Sequence, residues 1–324
     1  MRAFPLGAYA LAAVLLAAGV QAQDYPARPV RMIVPYGPGG ASDLTARIIQ
    51  PRMTDQLGQQ VVVDNRAGAS GNIGTEIAAK SPPDGYTIVL GTIATMAINP
   101  SVFPDFPVRP LRDFAPVTLV ADFPGALAVH PSIPAKTIAE FIAYARGRPG
   151  QLNYGSSGSG GAQRLAFEVF MGKAGIKLVH IPYKGGAGAA TTAVLAGEVA
   201  ATMVTVASFV PHVKSGRLRV LGVIAPARSP QLPDVPTLAE AGFPELTVGS
   251  WQALYLPAGT PGAVAGKLFA TMTRVLSDPR VIERFAAAGA VVLPSKSPEA
   301  LALFTKEQHA LYAKTVKAVG AVAD

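Results

Sequence analysis

The 324-residue chain contains no cysteine. That excludes disulfides, thiolate metal sites, a cysteine nucleophile and the acylated cysteine of a lipoprotein. Charge is scarce, with Asp, Glu, Lys and Arg making 15% of the residues. No run of three basic residues occurs, and the aromatics do not interleave with basic clusters. The net charge of +8 is therefore no nucleic-acid footprint. It serves solubility, or mild steering of anionic solutes. His130, His180, His212 and His309 are scattered, with no HExxH and no pair at metal spacing. A nucleophile elbow is missing too. Ser157 follows Gly155 by two but precedes Ser159, and Ser42 follows Gly40 but precedes Leu44. There is no Walker A loop, and Gln163 stands where the dinucleotide fingerprint begun by Gly158 and Gly160 needs its third glycine.

What the chain does have is apolar substance. Half of it is hydrophobic, enough to fill a core, and 33 Gly with 29 Pro punctuate it into many short elements. Its length predicts two lobes. The N-terminus reads as a secretory signal over residues 1–22. Arg2 supplies the positive start, residues 6–20 are apolar, and Val20-Gln21-Ala22 is a small-residue cleavage site. The alternative, a membrane anchor, is disfavoured because the run is shorter than the ~20 residues of a span. A soluble periplasmic protein follows.

Strand and helix signals alternate along the chain. Residues 30–35 read as a buried strand, and residues 42–57 as a helix with Leu44, Ile48, Ile49 and Met53 at helical spacing. Pro51 predicts a kink or break in that helix. Further strands are predicted at 61–63 and 86–90. After residue 122 the same grammar repeats, with strands at 126–130, 152–154, 178–182, 200–206 and 218–224. Thr137–Glu140 and Thr237–Glu240 are capping boxes, each marking a helix start. Residues 251–256 read as a strand returning to the first lobe, followed by helical stretches at 261–276 and 298–317. This order predicts an α/β fold with mostly parallel sheets. The lobes divide as 23–122 with 248–324, and an inserted 123–247. Two crossings then imply a hinge and a cleft.

Four Gly- or Thr-rich loops leave the C-terminal ends of predicted strands, at 36–43, 91–95, 155–161 and 183–187. Ligands of open α/β sheets bind there. The helix that follows such a loop offers free N–H groups and a positive dipole end, which hold a carboxylate without formal charge. Ordinary βα turns also use glycine, and Asp43 can serve either a ligand or its own helix start. The ligand-binding candidates are Tyr36, Gly39, Gly40, Ser42, Asp43, Thr92 and Thr95 on the first lobe. On the second they are Ser156, Ser157, Gly158, Tyr183, Gly185, Gly186 and Thr205. No catalytic residue, metal or cofactor is expected.

The segments Arg28-Pro29-Val30-Arg31, Val34-Pro35-Tyr36-Gly37-Pro38-Gly39-Gly40-Ala41-Ser42-Asp43 and Asn65-Arg66-Ala67-Gly68 through Gly74 carry a resemblance. So do Pro83-Asp84-Gly85-Tyr86, Asn153-Tyr154-Gly155-Ser156, Pro182-Tyr183-Lys184-Gly185-Gly186, Leu232-Pro233-Asp234-Val235-Pro236-Thr237 and Pro257-Ala258-Gly259-Thr260-Pro261. Together they resemble the Bug family, the periplasmic receptors of tripartite tricarboxylate transporters, over essentially the whole mature chain. The resemblance implies a two-lobed Venus-flytrap of the type II periplasmic binding class, without catalysis. It implies an organic acid in the cleft, held partly by the loop matching residues 36–43, and handover to a large and a small membrane component. Two positions depart from the family's pattern. Thr205 follows Met203-Val204 where relatives carry an acid, and Gln163-Arg164 stands where relatives carry His. Arg164 is therefore a candidate carboxylate clamp. A sensor for a membrane signalling protein would use the same closure, and a secreted hydrolase is the remaining alternative. A receptor that opens and closes is most simply a monomer.

Overall fold

The computed structural model describes residues 25–320 apart from 157, 159–161, 184–185, 226, 245 and 247–248. The predicted signal segment and the candidates Ser157 and Gly185 lie outside the described residues. Within them, no helix is long and apolar enough to cross a membrane.

Two sheets organise the chain as two α/β lobes. The first runs β11-β4-β10-β3-β1-β2 and the second β7-β6-β8-β5-β9. In the first sheet, β1 (Val30–Val34), β2 (Val61–Asn65) and β3 (Thr87–Thr92) are parallel. Strands β4 (Phe114–Phe123), β10 (Ser250–Pro257) and β11 (Val291–Val292) are antiparallel to their neighbours. In the second sheet β6 (Asn153–Ser156) is parallel to β7 (Val179–Pro182) and to β8 (Ala201–Thr205). Strand β5 (Gly125–Val129) is antiparallel to β8 and to β9 (Arg219–Ile224). Both sheets are thus mixed rather than mostly parallel. The cause is the double crossing: β4 carries the chain out of the first sheet and β10 brings it back, so the two lie antiparallel.

Alternation along the strands puts two apolar layers on each sheet. Val30, Met32 and Val34 join Leu254 and Leu256 in one core with α1 (Ala41–Leu57), α6 (Gly262–Leu276) and α7 (Pro279–Ala287). Ile33, Val89, Ala253 and Tyr255 face the other way. They pack on α2 (Asn72–Ala79), the turn Ala94–Ile98 and α8 (Pro298–Val319). The second sheet is covered by α3 (Ile138–Arg146) and α4 (Ala162–Ala174) on one face, and by α5 (Ala187–Leu195) on the other. Leu165 of α4 crosses between lobes into the core of Trp251, Leu301, Tyr312 and Val316.

Helix α1 runs unbroken through Pro51. Proline leaves the carbonyl of Arg47 without its helical partner, but both residues are exposed, which keeps the cost of the missing bond small. Buried Ile48, Ile49, Met53 and Leu57 hold the helix on either side. The capping box at Thr137 starts α3, with the Thr137 hydroxyl accepting the Glu140 N–H at 3.2 Å. The box at Thr237 is also formed, at 3.0 and 2.9 Å, yet only turns follow it. Gly242 and Pro244 stop a helix before it can propagate.

The first crossing spans one residue, Pro124, between β4 and β5. Just before it, Asp122 lies against Gly249, where a Cβ would come within 2.1 Å of its carboxylate oxygens. Burial raises the Asp122 pKa to about 6, against the pull of the Phe123 N–H. The folded state therefore holds this proton more tightly than the unfolded chain, whose pKa is about 3.9. Stability falls as pH rises from about 4 to about 6 and stays lower above. Asp122→Asn should stabilise the protein by about 2 kcal/mol at pH 7–8 and by little at pH 4. Denaturant unfolding of both forms across that pH range checks this.

Candidate functional site

One cavity opens between the two sheets at the start of α1. Its described walls are Tyr36, Gly37, Gly40, Ala41, Ser42, Ser70 and Thr92 through Ala94. Gln163, Gly186, Ala187, Thr205, Ser250 and Gln252 complete them. None of these side chains is charged.

The first wall is built where β1 ends. The Tyr36 hydroxyl donates to the Ser70 carbonyl at 3.2 Å and lies 3.3 Å from Thr92 Oγ1. Burial pushes its pKa up to about 12, so it stays a neutral phenol. Gly71 must be glycine: its φ is +92°, and a Cβ would stand 2.8 Å from Thr95 and 3.0 Å from the Tyr36 ring. Ser70 itself has φ +57°, unusual for a residue with a side chain. Its carbonyl is held from two sides, by Tyr36 and by Asn99 Nδ2 at 3.0 Å.

Helix α1 begins at Gly40 and helix α5 at Gly186, and neither has a side-chain cap. Thr137, Asp278 and Ser297 cap α3, α7 and α8 with their own oxygens, while α2 and α6 also lack a side-chain cap. Two helix starts from opposite lobes thus bring their positive ends to one cavity with no resident side-chain acceptor at either cap.

The remaining candidates shape the walls from behind. Gly39, at φ +86°, donates its N–H to Asp43 Oδ2 at 3.0 Å. Asp43 also accepts from Arg47 Nε at 2.9 Å and Asn65 Nδ2 at 3.1 Å, and it is turned away from the cavity. Burial works against its charge, but these donors prevail and hold its carboxyl below the usual range. Thr95 closes a tight turn, accepting the Thr92 N–H at 3.0 Å. Ser156 Oγ sits 2.7 Å from His180 Nε2 and accepts the Gly158 N–H at 3.2 Å. Ser156 is 1% exposed and is not among the described cavity walls. Gly158 faces the other lobe, where a Cβ on it would lie 2.6 Å from Ser70 Oγ. Arg164 is buried, 3.9 Å from Glu168, and its neighbour Gln163 reaches the wall. The Tyr183 hydroxyl turns to Glu198 at 3.4 Å. Burial, then Glu198, raise its pKa.

Residues 45–320 match the protein family described as the tripartite tricarboxylate transporter family receptor. The chain belongs to that family. The receptor is 38% identical to BugT of Bordetella pertussis over 307 residues, covering 94% of each chain. It superposes on Rpa4515 of R. palustris, solved with adipate, with a TM-score of 0.88 and 34% identity, covering 93% of the receptor and 100% of that chain. MatC of Rhodopseudomonas palustris, solved with bound malate, gives 0.84 and 31%, covering 90% and 100%. The family consists of solute-binding receptors, not enzymes, and the fold is the two-lobed periplasmic binding fold.

Sequence reasoning missed Ser70, Gln163, Ser250 and Gln252 in the receptor's cavity. Ser250 and Gln252 reach it through register, since β10 pairs Gln252 with Thr92 of β3. Only the alternation of Trp251 and Ala253 with Ser250 and Gln252 hinted at a polar face there.

Proposed function

We propose that the receptor captures a small organic acid by closing its lobes over this cavity and delivers it to the membrane components of a tripartite tricarboxylate-type transporter. The observation that carries the reading is the pair of helix starts without side-chain caps, from opposite lobes, facing one cavity lined by hydroxyls and amides. Such a site replaces the hydration of a carboxylate with N–H and O–H donors and positive dipole ends. Relatives solved with adipate and malate support the same chemistry. Residues 23–122 with 248–324 form one lobe and 123–247 the other. Residues 1–22 direct export and are removed, and the mature receptor works in the periplasm as a monomer.

A thermal-shift screen of residues 23–324 tests this, using adipate, malate and related acids beside their amides. An acid at 100 times its Kd should stabilise the fold by about 2.7 kcal/mol, read as a rise of several degrees in Tm. The matching amide should give no rise. A rise with amides alone would contradict the reading.

A further inference from the structure

Gln252 stands on β10 at the cavity wall and is 1% exposed. The strand period of two puts Ser250 on the same face, and register adds Thr92 beside it. Gln252 Oε1 accepts the Ser42 hydroxyl at 2.9 Å, tying the strand to the start of α1. Gln252 Nε2 has weaker partners, the Ser250 carbonyl at 3.3 Å and hydroxyl at 3.4 Å. Both are long for an N–H donor. Reversing the amide would set two carbonyl oxygens 3.3 Å apart, acceptor against acceptor, so the Ser250 carbonyl fixes the orientation. The oxygen is engaged and the amide nitrogen, with its two hydrogens, is under-used at the cavity.

Among the described residues the cavity offers no anion to match this donor. No carboxylate lines it among the described residues. Asp43, in the first turn of α1, is taken up by Gly39, Arg47 and Asn65. Outside the described residues, positions 157, 159–161 and 184–185 are Ser, Gly and Lys, and the acid Glu245 stands seven residues before Gln252.

We infer that Gln252 is a specificity-determining residue. Its Nε2–H donates to an oxygen of the ligand, and the cleft takes carboxylic acids that lack an ammonium group. This rests on the carboxylate-receptor reading above. An ammonium brings three donors and no acceptor. In this cavity it would lose its hydration without gaining a carboxylate, and it would meet an amide that presents N–H. An acid without the amine satisfies the same donor.

Calorimetric titration of residues 23–324 tests the inference with matched pairs: succinate and aspartate, glutarate and glutamate, adipate and 2-aminoadipate. The best-bound acid should bind about 100-fold more tightly than its amino counterpart. Gln252→Glu puts an acceptor where Nε2 stands. It should weaken that acid by about 30-fold and shrink or invert the preference within the pair. Gln252→Met removes the donor without adding charge, and should weaken the acid about tenfold while strengthening the amino counterpart little. Melting of the unliganded variants confirms that they fold. If Gln252→Glu does not fold, the wild-type ratio and Gln252→Met decide. Equal binding within the best pair, or a Gln252→Glu receptor with an unchanged ratio, overturns the inference and leaves the carboxylate receptor standing. Failure of every acid to bind the folded wild type overturns both.

Discussion

Gly158→Val should weaken binding of the receptor's best organic acid by about 100-fold while each lobe stays folded. Gly158 follows β6 in the second lobe and has φ +123°, a conformation that a β-branched residue adopts only under strain. Its ideal Cβ lies 2.6 Å from Ser70 Oγ and 3.7 Å from Ser70 Cβ, on the first lobe. Rotating one hydroxyl relieves an added methyl but not an isopropyl group. The overlap exists only when the lobes meet, so its cost falls on closure. A displaced core contact typically costs about 1–3 kcal/mol, and the upper end corresponds to about 100-fold in Kd. Ser70→Gly removes the facing side chain and eases the +57° backbone. The two changes together should therefore cost less than the sum of their separate effects. Calorimetric titration of the four proteins reads the coupling. Additive losses would mean that Gly158 and Ser70 do not meet on closure.

Asp43→Ala should lower both stability and affinity, although Asp43 is not among the described cavity walls. Its carboxylate holds the Gly39 N–H, the Asn65 amide and the Arg47 guanidinium. Removing it leaves the Gly39 and Asn65 donors short of an acceptor behind the β1–α1 loop, which costs about 2–3 kcal/mol. The loop then loses the shape that presents the start of α1, and affinity should fall about tenfold as preorganisation is lost. Asn65 also donates to the Tyr36 carbonyl at 2.9 Å, so the disturbance reaches the wall itself. Asp43→Asn keeps one acceptor and should show a smaller loss. The folded carboxyl titrates below its unfolded value. Its contribution is therefore complete above about pH 4 and is lost as pH falls through the lower folded value. The stability gap between wild type and Asp43→Asn should be flat from pH 8 to 5 and close on acidification. Denaturant midpoints measured across that range check it.

The readable part of the receptor was the part written in local signals. Glycine-rich strand-to-helix loops located the starts of α1 and α5, and Tyr36, Gly40, Ser42, Thr92, Gly186 and Thr205 do line the cavity. Charged and aromatic candidates behave differently because other side chains of the protein claim them. Asp43 is satisfied by Asn65 and by Arg47 one turn on, a pairing visible as an acid and a base four residues apart. Arg164 lies by Glu168, and Tyr183 turns to Glu198. Gln252 was hidden because its role depends on pairing with Thr92, far away in the chain. Strand β4 escaped notice because Pro116 interrupts its pattern. It sits where the pairing with β10 shifts register, a place that tolerates a missing N–H. The mixed sheets were equally illegible, since strand direction follows from how the chain passes between lobes.

On the proposed reading, two lobes close over an organic acid without any charged side chain gripping it. A crystal structure of residues 23–324 with the acid that gives the largest thermal shift tests it most directly. Closed lobes with the acid in the cavity are the expected result. One carboxylate should lie within hydrogen-bond distance of backbone N–H groups at the start of α1, and a second acceptor should face Gln252 and the start of α5. An acid bound outside this cavity, or held inside it by a lysine or arginine side chain, would contradict the account.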